Sequence, residues 1–211
     1  MQSQIQRMNG PINTINDQVI GGRPAFGSST TVSKVGGQLG KWIWLDDGTV
    51  IYNSTTGTVY GGRFRYVRLA AAATAVVRGQ IVFWDISVAD SLFQVTTSEA
   101  GSVPGAQLMA GVVLNPSWSA GYYSYIQEIG PVFVKFRAAL THAPAGVGTA
   151  VYAAAAGAGA DNGLADTVDT ADLAAFSDVG LLQNRYLGAS IELPTNGGTK
   201  LTYLNPRNLR G

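Results

Sequence analysis

The feature that most constrains this chain is its punctuation. Twenty-seven glycines are spread along 211 residues, and between them lie short runs of β-branched and aromatic residues. Examples are "KWIWLDDGTVIY", "TVYGGRFRYVRLA", "ATAVVRGQIVFWDIS", "LMAGVVLNP", "GTAVYAAAAG" and "GTKLTYLNP". Runs of this length, broken by turn residues, read as strands rather than helices. Helical signal is confined to "TADLAAF", where Thr170 could cap a turn or two. The expected fold is therefore all-β: a Gly-punctuated barrel or sandwich with minimal helix. The glycines are not collected into a linker, so residues 41–211 read as a single β-domain.

Local signals set the expected boundaries. Asp47-Gly48 reads as a hairpin turn that reverses the chain after Trp42 and Trp44, which share one strand face. "GYYSYIQEIGPVFVKF", residues 121–136, holds three tyrosines and two phenylalanines with only Glu128 and Lys135 as charges. It reads as two strands meeting at Gly130-Pro131, supplying mass and shape for packing against other protein. Residues 1–40 differ: Gln, Asn, Ser, Thr and Gly dominate, and isolated Ile and Val show no period. Such a segment buries too little apolar surface to fold alone. It reads as an extended arm ordered on a neighbour, as a disordered tail, or as a loop-rich edge of the domain.

Charged residues make up 13% of the chain, against roughly a quarter in ordinary globular domains. Interface cores are depleted in charge in the same way. A net charge of +1 gives no electrostatic case for nucleic acid. Cysteine is absent, so disulfides and thiolate metal sites are excluded. The N-terminal residues lack the apolar core of a signal peptide, and no run of about 20 apolar residues is present to span a membrane. "NST" at Asn53 reads as an ordinary turn.

Catalytic patterns are missing. His142, the one histidine, has no G-x-S-x-G elbow or cysteine to serve. "GAGADNG" lacks dinucleotide-loop spacing. Asp161, Asp166, Asp169 and Asp172 fit no EF-hand and read as a solvated acidic loop. Asp85, Asp90, Glu99, Glu128 and Glu192 could pair in space as glycosidase acids, yet none stands in a recommending pattern. No enzyme, cofactor or metal site is expected. Arg63, Arg65, Arg68 and Arg78 are the one basic concentration, with Arg63 and Arg65 on a common strand face. They suit a protein carboxylate partner or an ordinary solvent face.

As an ordered set, "TAVVRGQIVFWD" (74–85), "LMAGVVLNP" (108–116), "GYYSYIQEIGPVFV" (121–134), "GTAVY" (148–152) and "YLGASI" (186–191) resemble tailed-bacteriophage head decoration proteins, also called capsid cement proteins. The resemblance covers roughly residues 66–204. The family often has Asp where Gln80 stands. It implies a compact β-barrel or β-tulip domain on the exterior of the virion head, assembled in the host cytoplasm. It also implies binding at junctions between major capsid protein subunits, often as a homo-oligomer, with a trimer favoured. No catalytic residues carry over. The expected partner contacts are Ile5, Met8, Ile12, Ile15 and Val19 in the arm, with Trp42, Trp44, Arg63 and Arg65 on the domain. The alternatives are a carbohydrate-binding β-domain of a fibre or adhesin, using surface Trp and Tyr, or another all-β virion subunit such as a tail-tube or minor capsid protein.

Overall fold

The computed structural model describes residues 39–40, 42–53, 57–71, 73–85, 93–97, 108–154, 162–167 and 185–205. The arm residues Ile5, Met8, Ile12, Ile15 and Val19 lie outside these, as does the turn expected at Thr170. Every regular element in the described part is a strand. In chain order they are β1 (Trp42–Asn53), β2 (Gly57–Leu69), β3 (Ile81–Trp84), β4 (Gln94–Thr96), β5 (Met109–Val113), β6 (Tyr123–Lys135), β7 (Ala150–Ala153), β8 (Ala165–Thr167), β9 (Tyr186–Ser190) and β10 (Thr199–Leu204). The described part of the protein is all-β, as its Gly-punctuated runs suggest.

The ten strands form one mixed sheet in the order β1-β2-β4-β3-β5-β6-β10-β9-β7-β8. A further antiparallel pairing of β2 with β6 closes β2, β4, β3, β5 and β6 into a ring. It is a ring of strands rather than a regular barrel, because β1 hangs from β2 and a second sheet, β10-β9-β7-β8, hangs from β6. The alternation of side chains along each strand then makes two cores. One draws on all five ring strands: Val67 and Leu69, Val82, Val95, Ala110 and Val113, and Ile126. Trp118 completes it, exchanging backbone hydrogen bonds with Val76 and donating its indole N–H to the Tyr122 carbonyl at 3.1 Å. The other core is larger and aromatic. It joins Phe64, Tyr66, Phe83, Tyr125 and Phe136 to Val151, Leu187 and Leu204 of the second sheet.

Two sequence expectations change. Asp47-Gly48 does not reverse the chain. β1 continues through it, pairing residues 42–45 and 50–53 with the same partner strand, and the dipeptide falls in the register shift between Leu45 and Val50. Pairing on both sides satisfies more backbone groups than an early reversal would.

Gly130-Pro131 likewise does not end a strand. β6 is continuous over 13 residues and changes partners there, from β2 before the dipeptide to β10 after it. Gly130 supplies the left-handed backbone, φ 102°, that the crossing needs. The buried Gln127 amide donates to the carbonyls of Ile129 and Pro131 at 3.3 and 3.0 Å, holding the bend from inside. The aromatic weight of 121–136 is thereby explained within the chain. β6 belongs to both sheets, so Tyr125 and Phe136 are fully buried in the protein's own core, while Tyr122 stays exposed.

Candidate functional site

The register of β1 on β2 sets Trp42 opposite Arg65 and Trp44 opposite Arg63. Directly paired residues share a sheet face, so these four sequence-selected residues form one cross-strand block. Trp42 is 56% exposed, and Trp44 is half-buried.

The partner that sequence reasoning passed over is Glu128. β6 pairs Gln127 with Phe64 and Ile129 with Arg63, leaving Glu128 as the extra residue of a β-bulge. Its carboxylate is fully buried between the two guanidiniums. Oε1 lies 2.6 Å from Arg65 Nε and Oε2 lies 2.8 Å from Arg63 Nε, with the arginine side chains 15% and 16% exposed. The contact to Arg65 is an aligned hydrogen bond. The one to Arg63 is close but misaligned, and Arg63 Nη2 has no hydrogen-bond partner. Arg65 is therefore the stronger partner. Its guanidinium also lies 5.9 Å from the Trp84 ring and 5.8 Å from the Phe93 ring, and donates a long 3.4 Å hydrogen bond to the Gly40 carbonyl.

The remaining arginines of the basic concentration are also used internally. Arg68 lies 5.8 Å from the Tyr123 ring and donates to the Gly121 carbonyl. Arg78 lies 5.3 Å from the Phe133 ring and donates to the Thr58 carbonyl at 2.8 Å; burial pushes its guanidinium below the ordinary arginine value. Arginine here stacks on rings and satisfies carbonyls, uses for which its planar fork is suited.

Asp166 does not belong to a solvated loop. It is buried on β8, where it accepts hydrogen bonds from Arg137 Nη1 at 2.9 Å, the Thr141 N–H at 2.9 Å and the Thr141 hydroxyl. The other acids of that group, Asp161, Asp169 and Asp172, lie outside the described residues, as do Asp90 and Glu99. Asp85 accepts from Gln94, and Glu192 accepts the Leu201 N–H at 3.1 Å. His142 is half-buried, with its carbonyl accepting from Thr167. No group of three or more metal-ligating side chains is present among the described residues.

A second surface stands out by its apolarity. Gly148 N–H donates to the Ser190 carbonyl and Ile191 N–H to the Leu201 carbonyl, which brings three segments together at one end of the second sheet. There Val147 is 69% exposed, Leu193 48%, and Ile191 and Tyr203 each 39%. Exposed large apolar side chains gathered on neighbouring segments are a common feature of interaction surfaces.

No protein-family model matches the chain, and neither does any curated protein or solved structure.

Proposed function

We propose that this protein is a structural virion component, a capsid decoration protein that binds the outside of a phage head where major capsid subunits meet and strengthens the shell. The observation that carries the reading is the exposure of four large apolar side chains, Val147, Ile191, Leu193 and Tyr203, on neighbouring segments of a chain in which charged residues are only 13%. Covering such side chains removes apolar surface from water at about 25 cal/mol per Å², and separating the partners must return it. A symmetric shell repeats each contact many times, so modest single-site affinity suffices. Trp42, with Trp44, Arg63 and Arg65 beside it, is the second contact region. Its exposed indole beside a block of two arginines sharing one carboxylate resembles the Trp- and Arg-rich centres of protein interfaces.

Mixing the purified protein with expanded phage heads tests this. The expected result is co-sedimentation with the shells and a rise in their melting temperature. Shells left unchanged, with retention of the protein on a polysaccharide column, would replace the reading with carbohydrate binding. Of the tryptophans, Trp118 is fully buried and Trp84 half-buried, which leaves Trp42 as the main exposed sugar-stacking platform.

A further inference from the structure

Phe93 is the one non-glycine residue among those described with a left-handed backbone, at φ 65°. Residues other than glycine, asparagine and aspartate rarely adopt this region, and they persist there only where the surroundings over-determine them. Those surroundings are specific. The Phe93 ring lies edge-on to Trp84 at 6.2 Å and 5.8 Å from the Arg65 guanidinium. Its carbonyl accepts the Arg68 N–H at 3.0 Å. On its other side sits Gly40, also left-handed at φ 79°, packed so closely that a Cβ there would overlap the ring. Gly40 is fixed in turn by its N–H, which donates to the Tyr66 carbonyl at 2.8 Å, and by its carbonyl, which accepts from Arg65. Trp84 and Phe93, with Ala73, are the half-buried side chains that cover the core inside the strand ring.

We infer that Gly40 and Phe93 form a latch. It seats the chain preceding β1 against the cover of the ring, and Arg65 ties that seat to the buried Glu128. Withdrawing residues 39–40 would uncover the Phe93 ring, remove one acceptor from Arg65 and release the backbone of Phe93 to an ordinary conformation. The Arg65–Glu128 pair lies on the inner side of the same guanidinium and is retained. A pull on the N-terminal segment would therefore open this end of the ring without dismantling its core.

Amide exchange on the full chain tests it with two variants. In the wild type the residue 40 amide should be protected. Gly40→Ala should raise its exchange at least tenfold, because the added Cβ cannot share space with the ring. Phe93→Gly should do the same while relieving the backbone strain. In both variants the Val113 and Ile126 amides should lose far less protection than the residue 40 amide. Free exchange at residue 40 in the wild type would overturn the latch, as would unchanged protection in both variants. So would loss of protection at Val113 and Ile126 by the same factor as at residue 40, since that would make the contact an inseparable part of the core.

Discussion

Two buried carboxylates, at different places in the molecule, are held by different means. Glu128 lies where β6 bulges against β2, and its oxygens face two guanidiniums from residues more than sixty positions earlier in the chain. Asp166 lies on β8 and draws on Arg137, the Thr141 main chain and hydroxyl, and the N–H of its neighbour Thr167 at 2.8 Å. The Arg137 side chain is 28% exposed, against 16% and 15% for the two around Glu128. The first carboxylate neutralises charge that cannot easily reach water, whereas the second mainly organises a loop. A buried charge deprived of its partner is far more costly than a solvated one. The two sites should therefore differ sharply in mutational sensitivity.

The largest effect is expected at the bulge. Glu128→Gln leaves two poorly solvated guanidiniums facing an amide, at a cost of about 3–5 kcal/mol. In a chain of this size that is roughly a 10 °C fall in Tm. Replacing Arg63, Arg65 and Glu128 together by apolar residues should recover much of the loss. A Tm within about 2 °C of wild type for Glu128→Gln would erase the contrast with Asp166.

Asp166→Asn should cost less, about 1–3 kcal/mol, because the amide oxygen still accepts while Arg137 turns to solvent. Denaturant midpoints for the two variants, compared at equal m-value, test the ranking directly. Equal losses would show that Arg137 is as trapped as Arg65.

The two cores can be compared through their hydroxyls. Among the described residues, the apolar core inside the ring includes no tyrosine, whereas the larger one buries Tyr66 and Tyr125. Burial, reinforced by the neighbouring Tyr66, pushes the Tyr125 hydroxyl well above its ordinary value of 10.0. A raised value means that folding favours the neutral form. Its contribution to stability is complete below about pH 10 and is lost as pH climbs through the folded value. Phenolate absorbance should therefore show one tyrosine ionising late, together with unfolding of the larger core. Simultaneous titration of all nine tyrosines in a folded chain would contradict that.

The smallest effects on stability belong to the surface. Trp42→Ser and Leu193→Ser should change folding free energy by no more than about 0.5 kcal/mol. If the proposed function holds, each should weaken capsid binding severalfold. A large loss of stability in either variant would instead assign that side chain to the protein's own core.

Composition and periodicity alone determined the all-β class, because alternating apolar residues and Gly-rich breaks are local properties that every strand carries with it. The runs at Ile81–Trp84, Met109–Val113, Ala150–Ala153, Tyr186–Ser190 and Thr199–Leu204 were legible in this way. The shared face of Arg63 and Arg65 was legible too, being a matter of counting by two. Their partner was not. Which residue opposes which across a sheet depends on register, and the Glu128 bulge is set by the pairing of β6 with β2, not by the residues around Glu128. The same reason explains Asp47-Gly48 and Gly130-Pro131, whose local turn preferences yielded to long-range pairing. It also explains the aromatic stretch from 121 to 136, which only the tertiary structure shows to serve two sheets of one chain. Strand-forming tendency travels with the sequence, whereas partnership between strands is decided when distant segments meet.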